Sequence, residues 1–222
     1  MGKAYYVTAT GTEIGKTFIA AALLRAARQS GYSVHAIKPL MSGFSRSALG
    51  ACDAGQLLIG CGRDVTAQTV DAICLHSFTE PLAPNVAARR AGVALDDATL
   101  VKFCEQGLAA PHDLTLIEGA GGVLSPATDT LLQADLAARL SLPVILISAD
   151  YLGTVSHTLS AMEALEKRGL KIAAAIISEP VSGANPRAMA EELARWRPET
   201  PFLTAPHDDD GIGGTLLATL GL

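Results

Sequence analysis

Gly15-Lys16-Thr17 stands between a short apolar run, Ala4–Thr8, and an Ala- and Leu-rich stretch, Thr17–Ser30, that Gly31 closes. Read as strand, loop and helix, this order leaves the N–H groups of the first helical turn unpaired and aimed at one spot, where the helix dipole adds positive potential. Gly15 lets backbone approach an anion closely, Lys16 brings a mobile point charge, and Thr17 offers a hydroxyl that can ligate Mg2+. The whole segment, Val7-Thr8-Ala9-Thr10-Gly11-Thr12-Glu13-Ile14-Gly15-Lys16-Thr17, has the context of a loop that cradles nucleotide phosphates, with Lys16 reaching the β and γ oxygens. The ordinary spacing would put a glycine at position 10. This chain has Thr10, and its nearest earlier glycine is Gly11.

Three further residues could share that chemistry. Glu118 follows the apolar run Leu114–Ile117 and precedes Gly119-Ala120-Gly121-Gly122. A carboxylate at a strand's carboxyl end, beside a turn of little bulk, suits a magnesium ion; a Glu capping the next helix is the plainer alternative. Asp53, near the start of a helical stretch, is a second carboxylate, and taken alone it reads more often as a helix cap. Lys38 ends a second strand, in Ile37-Lys38-Pro39-Leu40-Met41-Ser42-Gly43. A second ammonium near a phosphate loop can hold an anionic intermediate and a transferring phosphoryl group together.

The elements that must position these residues alternate. Ser33–Ile37, Leu114–Ile117, Val144–Ile147, Lys171–Ile177 and Pro201–Thr204 read as strands, while Thr154–Arg168 and Pro186–Trp196 read as helices. Val144–Ile147 is apolar throughout, as a parallel strand buried on both faces requires. The pattern predicts an α/β fold: a doubly wound, mostly parallel sheet flanked by helices, of the P-loop NTPase type, with ligands beyond the carboxyl ends of the strands. Residues 43–112 are harder to read and hold helical segments at Cys52–Gly60 and Thr99–Gly107 among proline-bearing loops. With no linker, repeat or low-complexity tract, residues 1–222 are expected to form a single domain.

Composition narrows the partners. Of the 222 residues, 49% are hydrophobic and 18% charged, which allows a sizeable core. Aromatics are 5% and the formal net charge is -5, which argue against base-stacking platforms and nucleic-acid backbone binding. Cys52, Cys61, Cys74 and Cys104 form no C-x-x-C pair and read as reduced thiols. The apolar runs are too short to span a membrane and no signal-peptide core is seen, so a soluble cytoplasmic protein is expected.

Together these residues resemble dethiobiotin synthetase. That family's longer phosphate loop aligns from Ala9 through Thr10–Ile14 to Gly15-Lys16-Thr17. Its Lys-Pro-x-x-Ser-Gly matches Lys38-Pro39-Leu40-Met41-Ser42-Gly43, and its Asp-Ala matches Asp53-Ala54. Its Pro-x-x-Pro-(His/Asn)-x-Ala segment looks like Pro81-Leu82-Ala83-Pro84-Asn85-Val86-Ala87, and Glu-Gly-Ala-Gly-Gly matches Glu118-Gly119-Ala120-Gly121-Gly122. Its Leu-Gly-x-x-Asn-His-x-Leu resembles Leu152-Gly153-Thr154-Val155-Ser156-His157-Thr158-Leu159.

The resemblance implies an ATP-dependent ligase that closes the ureido ring of dethiobiotin from 7,8-diaminopelargonate and CO2, through a carbamate and its phosphorylated anhydride. It assigns catalysis to Lys16 and Lys38. Nucleotide contacts would come from Glu13, Ile14, Gly15, Lys16, Thr17 and Phe18, from Asp53, from Glu118, Gly119, Ala120 and Gly121, and from Ser178, Glu179, Pro206 and His207. Thr12, Ser42 and Pro84 would meet the substrate. Thr17, Asp53 and Glu118 would surround Mg2+. The family is a homodimer, and the resemblance puts the substrate carboxylate of one subunit on Gly153, Thr154 and Val155 of the other; an ordinary helix cap is the alternative for that segment. His157 reads as a packing or capping residue, and Asp208-Asp209-Asp210 as a solvated loop.

Four positions depart from the family pattern. Ala9 replaces the first loop glycine, Gly11 a common Asp, and Ser156 an Asn. Ser178 stands where an Asn usually reads the adenine edge, so a less strict base preference is expected. An alternative from another class is a P-loop ATPase of the partition or septum-placement type, a nucleotide-switched binding protein. Such proteins would carry a second lysine inside the loop, and Thr10–Ile14 has none; Gly211–Leu222 also lacks Lys and Arg.

Overall fold

The computed structural model describes residues 2–179, 185–207 and 209–222. In chain order the elements are β1 (Lys3–Ala9), α1 (Lys16–Gln29), β2 (Val34–Ile37), β3 (Leu40–Met41), α2 (Asp53–Gly60), α3 (Ala67–Ile73), β4 (His76–Ser77), α4 (Pro84–Arg90), α5 (Asp97–Leu108), β5 (Leu114–Glu118), α6 (Gln133–Arg139), β6 (Val144–Ala149), α7 (Thr154–Glu166), β7 (Ile172–Ser178), α8 (Pro186–Trp196), β8 (Phe202–Ala205) and α9 (Ile212–Thr219). A 3-10 turn at Leu49–Ala51 adds to these.

Six strands form one parallel sheet in the order β2-β5-β1-β6-β7-β8, and β3 pairs with β4 in a separate two-stranded ladder. The expected α/β sheet is therefore present. In its register Val7 pairs with Glu118, Ile37 with Ile117, Ala9 with Ile147, and Ala149 with Ser178. The carboxyl ends of the strands thus lie level along one edge.

Residues alternate across β1. Tyr5, Val7 and Ala9 join a core with α1, α2, α3 and α9, while Tyr6 joins a second core with α5, α6 and α7. Every residue of β5 and of β6 is buried, as the apolar runs require. Helix α1 is gripped closely. A Cβ placed on Gly60 of α2 would lie 2.8 Å from the Ala21 carbonyl oxygen, and one on Gly213 of α9 would lie 2.3 Å from that of Ala22.

Most element readings shift by one or two residues at their ends. α7 stops at Glu166, short of Arg168, where Arg168 N bonds Leu165 O and Gly169 closes the turn. Ser33 lies outside β2 and instead exchanges hydrogen bonds with Asp113. Helices α3, α4, α6 and α9 and the β3–β4 ladder were not anticipated. No helix among the described residues is long and apolar enough to cross a membrane.

Candidate active site

Because β5 lies between β1 and β2, Glu118 sits with the phosphate loop on one side and Lys38 on the other. Lys38 Nζ donates to Glu118 Oε1 at 2.5 Å and to the Gly119 carbonyl oxygen at 3.0 Å, and it pairs with Asp53 Oδ2 at 2.7 Å. The Thr17 hydroxyl donates to the same Glu118 oxygen at 2.8 Å. Lys38 is 1% exposed and Glu118 is fully buried. Burial opposes the Lys38 charge, but the carboxylates of Glu118 and Asp53 outweigh it and hold its pKa above the usual lysine value. Lys38 is thus a fixed cation. Burial would raise the pKa of Asp53, yet its charge interaction and hydrogen bond with Lys38 leave it lowered.

Lys16 is buried at the head of α1. Its pKa is lowered, first by burial and then by the charge of Lys38, with Glu118 and Asp53 working the other way. The charge of Lys38 thus bears on Lys16. Glu118 Oε2 is buried with no hydrogen-bond partner, which leaves one carboxylate oxygen available in the middle of the cluster. Asp53 is the first residue of α2, whose cap is Cys52: its Sγ accepts from Gly55 N at 3.3 Å.

The loop itself holds two left-handed residues, Glu13 at φ 57° and Gly15 at φ 88°. Left-handed residues two apart turn successive N–H groups into a concave, anion-binding nest. Gly15 was legible from its type; Glu13 was not, because a side chain at that φ is uncommon and nothing in the residue announces it. Ala9 needs no such freedom. It ends β1 fully buried, accepts a hydrogen bond from Val123 N, and has no positive φ.

A cavity of about 670 Å³ opens over this cluster. Of the anticipated residues, the phosphate-loop side supplies Thr12, Glu13, Gly15, Lys16, Thr17 and Phe18. The facing side supplies Lys38, Ser42, Asp53, Ala120 and Gly121. Met41, Pro81, Leu82, Ala83 and Ser125 also line it and were missed. The first four fall inside the Lys-Pro-x-x-Ser-Gly and Pro-x-x-Pro motifs, while Ser125 carries no signal of its own. Its Oγ accepts from Gly122 N at 2.8 Å and so shapes the glycine turn. Pro84 is buried at the first turn of α4 and does not line the cavity; its neighbour Ala83 does.

Other anticipated residues gather elsewhere along the sheet edge. The Ser178 hydroxyl lies within hydrogen-bonding distance of two carbonyl oxygens, that of Ile14 at 2.7 Å and that of Ser148 at 3.1 Å, so it ties the phosphate loop to β6 and β7. Glu179 and His207 meet beyond β7 and β8, His207 N donating to Glu179 Oε2 at 3.2 Å, beside exposed Pro206. Gly153, Thr154 and Val155 begin α7 outside the cavity; the Thr154 hydroxyl donates to the Ala149 carbonyl, and Leu152 is wholly exposed. His157 Nδ1 lies 3.0 Å from the Tyr151 hydroxyl. Asp210 pairs with Arg25 and Asp209 caps Gly211 N, whereas Asp208 lies outside the described residues.

Comparison with known proteins fits this geometry. The family model of an AAA domain matches residues 3–197. The ATP-dependent dethiobiotin synthetase BioD of Caulobacter vibrioides (strain NA1000 / CB15N) is 40% identical over 98% of this chain and 99% of its own length. Those of Phenylobacterium zucineum and Methylobacterium nodulans are 42% and 43% identical, over 92% and 86% of this chain and 88% and 87% of theirs. A plasmid partition protein from Borrelia burgdorferi superposes with a TM-score of 0.59 at 11% identity, over 99% of this chain and 96% of that one. The septum site-determining protein MinD from Pyrococcus horikoshii OT3 does so at 0.54 and 18%, over 99% and 87%. At such identities these two share the P-loop NTPase fold and nothing finer. By its sequence relatives, and with the paired lysines and the Glu118 turn at one sheet edge, the chain belongs to the dethiobiotin synthetase family.

Proposed function

We propose that this chain is an ATP-dependent ligase that closes the ureido ring of dethiobiotin from 7,8-diaminopelargonate and CO2. The observation that carries the reading is the convergence of Lys16, Lys38, Asp53 and Thr17 on one cavity, with buried Glu118 bonded to Lys38 and Thr17 behind its wall, in a member of this family. One amine of the diamine captures CO2 as a carbamate. A carbamate oxygen then takes the γ-phosphoryl group of ATP, giving a carbamic–phosphoric anhydride and ADP. The second amine attacks the carbonyl carbon, and phosphate leaves.

The nucleophile is already an anion, so the site needs cations and alignment more than a base. Lys38, held charged by two carboxylates, suits that need and cannot serve as a proton acceptor. Lys16 gathers the phosphate oxygens, and the Glu13–Gly15 nest binds them through N–H groups. Thr12 and Ser42 orient the diamine and its carbamate at the cavity wall.

Mg2+ belongs between Thr17, Asp53 and Glu118, where the unpartnered Glu118 Oε2 offers a hard oxygen. Among the described residues no three His, Cys, Asp or Glu side chains group as a metal cage. That fits an ion shared with phosphates better than one held by protein alone. When bound, it neutralises phosphate charge.

Residues 1–222 work as one ligase domain, and two copies pair so that Gly153–Val155 of one supplies helix N–H groups to the substrate carboxylate of the other. The exposure of Leu152 beside that helix start supports the pairing. Ser178, Glu179, Pro206 and His207 face the nucleoside end, with loose base selection, in a cytoplasmic enzyme. The direct test supplies diaminopelargonate, labelled bicarbonate and Mg-ATP; an acid-stable ureido product carrying label is expected. ATP hydrolysis with no such product would overturn the reading.

A further inference from the structure

The turn after Glu118 rests on a buried polar pair that the proposed chemistry leaves unused. Tyr6, from β1, and Gln133, the first residue of α6, are 0% and 1% exposed, and Tyr6 belongs to the apolar core beneath α5, α6 and α7. The Tyr6 hydroxyl donates to Gln133 Oε1 at 2.5 Å, and Ala120 N donates to the same oxygen at 3.3 Å. An N–H can only donate, so the amide oxygen must face Ala120 and the phenol must give its proton to that oxygen. Gln133 Nε2 is left buried without a partner. A core position that retains an unpaired donor would be better served by an aliphatic side chain unless its acceptor end is needed.

What that acceptor holds is one face of a single peptide plane. The Ala120 N–H and the Gly119 C=O belong to the same planar unit, and the Gly119 oxygen accepts from Lys38 Nζ at 3.0 Å. Gln133 grips one edge and Lys38 the other. Rotating the plane at Ala120 must carry the Gly119 oxygen away from the ammonium. The fit is tight: a Cβ on Gly119 would lie 2.7 Å from Gln133 Oε1 and 2.8 Å from the Tyr6 hydroxyl oxygen.

We propose that Tyr6 and Gln133 are positioning residues for ring closure, acting through the Gly119–Ala120 peptide to keep Lys38 and Glu118 aimed at the reacting groups. This rests on the ligase roles of Lys38 and Glu118. The pair acts on alignment at the reacting atoms, where a displacement of about 1 Å costs up to about a hundredfold in rate.

The test compares wild type with Tyr6→Phe, Gln133→Met and the double variant, by steady-state kinetics and by amide hydrogen exchange over residues 119–122. Gln133→Met should lower kcat about tenfold or more, leave KM for ATP and diaminopelargonate within about twofold, and speed exchange in that segment about tenfold. Tyr6→Phe should do the same more weakly, and in the Gln133→Met background it should add nothing to the kcat loss. If Gln133→Met fails to fold, Tyr6→Phe, which removes one oxygen and keeps the ring, decides the matter. Unchanged kcat and unchanged exchange in that variant, with only thermal stability reduced, would reduce the pair to packing and overturn the proposal. A wild-type chain that forms no ureido product while exchange in 119–122 still responds would sink the ligase reading and uphold the tether.

Discussion

On the β2–β5–β1 side of the sheet, Lys38, Glu118, Asp53 and Thr17 bond one another within one chain around buried Lys38 and Glu118, leaving buried Glu118 Oε2 without a partner. On the β6–β7–β8 side, Gly153, Pro206 and His207 are exposed, and Ser178 and Thr154 spend their hydroxyls on neighbouring carbonyls. The contrast separates two tasks. Phosphoryl chemistry needs charges fixed before the substrate arrives, and a buried, interlocked cluster supplies them. On the proposed reading, recognition of the nucleoside and of the substrate's far end would fall to these surface groups.

Breaking the interlocked side should have the largest effect. Lys38→Ala removes a cation from the transferring group and strands two carboxylates; ring closure should fall by about 10²–10³-fold or more in kcat, read with the labelled-bicarbonate assay. An activity within tenfold of wild type would show that the fixed charge is dispensable. Glu118→Gln should cost about 3–5 kcal/mol in urea unfolding, because it takes one partner from a buried ion pair. A cost below 1 kcal/mol would mean that Lys38 finds its counter-charge elsewhere.

The other side should respond less. Ser178→Ala cuts the tie to Ile14 O, and a hydrogen bond of this kind contributes about 0.5–1.5 kcal/mol. KM for ATP should therefore rise several-fold with kcat kept; a large kcat loss would mean that the loop's shape depends on that tie. In direct competition CTP and GTP should support turnover within about tenfold of ATP, since the Ser178 hydroxyl is turned toward backbone, and a strong preference for ATP would place base recognition in other residues.

The smallest effect concerns the far end of β2, where His35 stacks on His112 with ring centroids 5.0 Å apart. Burial first, then the charges of His112 and Arg63, push His35 down to about 4. Its folded pKa lies below the unfolded value, so the unfolded chain takes up the proton first. Stability from this group is full above about pH 6.5 and is lost as pH falls toward 4. The urea midpoint should drop between pH 7 and pH 5, and His35→Gln should flatten that drop.

Much of the chemistry was legible because it is local. Gly15-Lys16-Thr17, Lys38-Pro39 and Glu118–Gly122 each sit at the end of an apolar run, where a strand must stop and a turn must begin. Their meeting was not legible: it depends on β5 entering between β1 and β2, a long-range pairing that no window of residues displays. Ser178 stands where expected, yet its hydroxyl is claimed by a loop 164 positions away in sequence. Helix α9 escaped notice because Gly213 and Gly214 lower helix propensity, while a close approach to α1 leaves no room for a side chain at 213. The β3–β4 ladder is two residues per strand, too short to show a period.

That double grip on α1 has a mechanical consequence. With bare backbone from α2 and α9 pressed against the Ala21 and Ala22 carbonyls, the helix is seated like a shaft between two shoulders and has no stroke along its own axis. If the nest fills and empties as proposed, the change would be accommodated ahead of the helix, by residues 10–15 and Lys16. The catalytic cycle would then be a movement of the tip over a stationary stem.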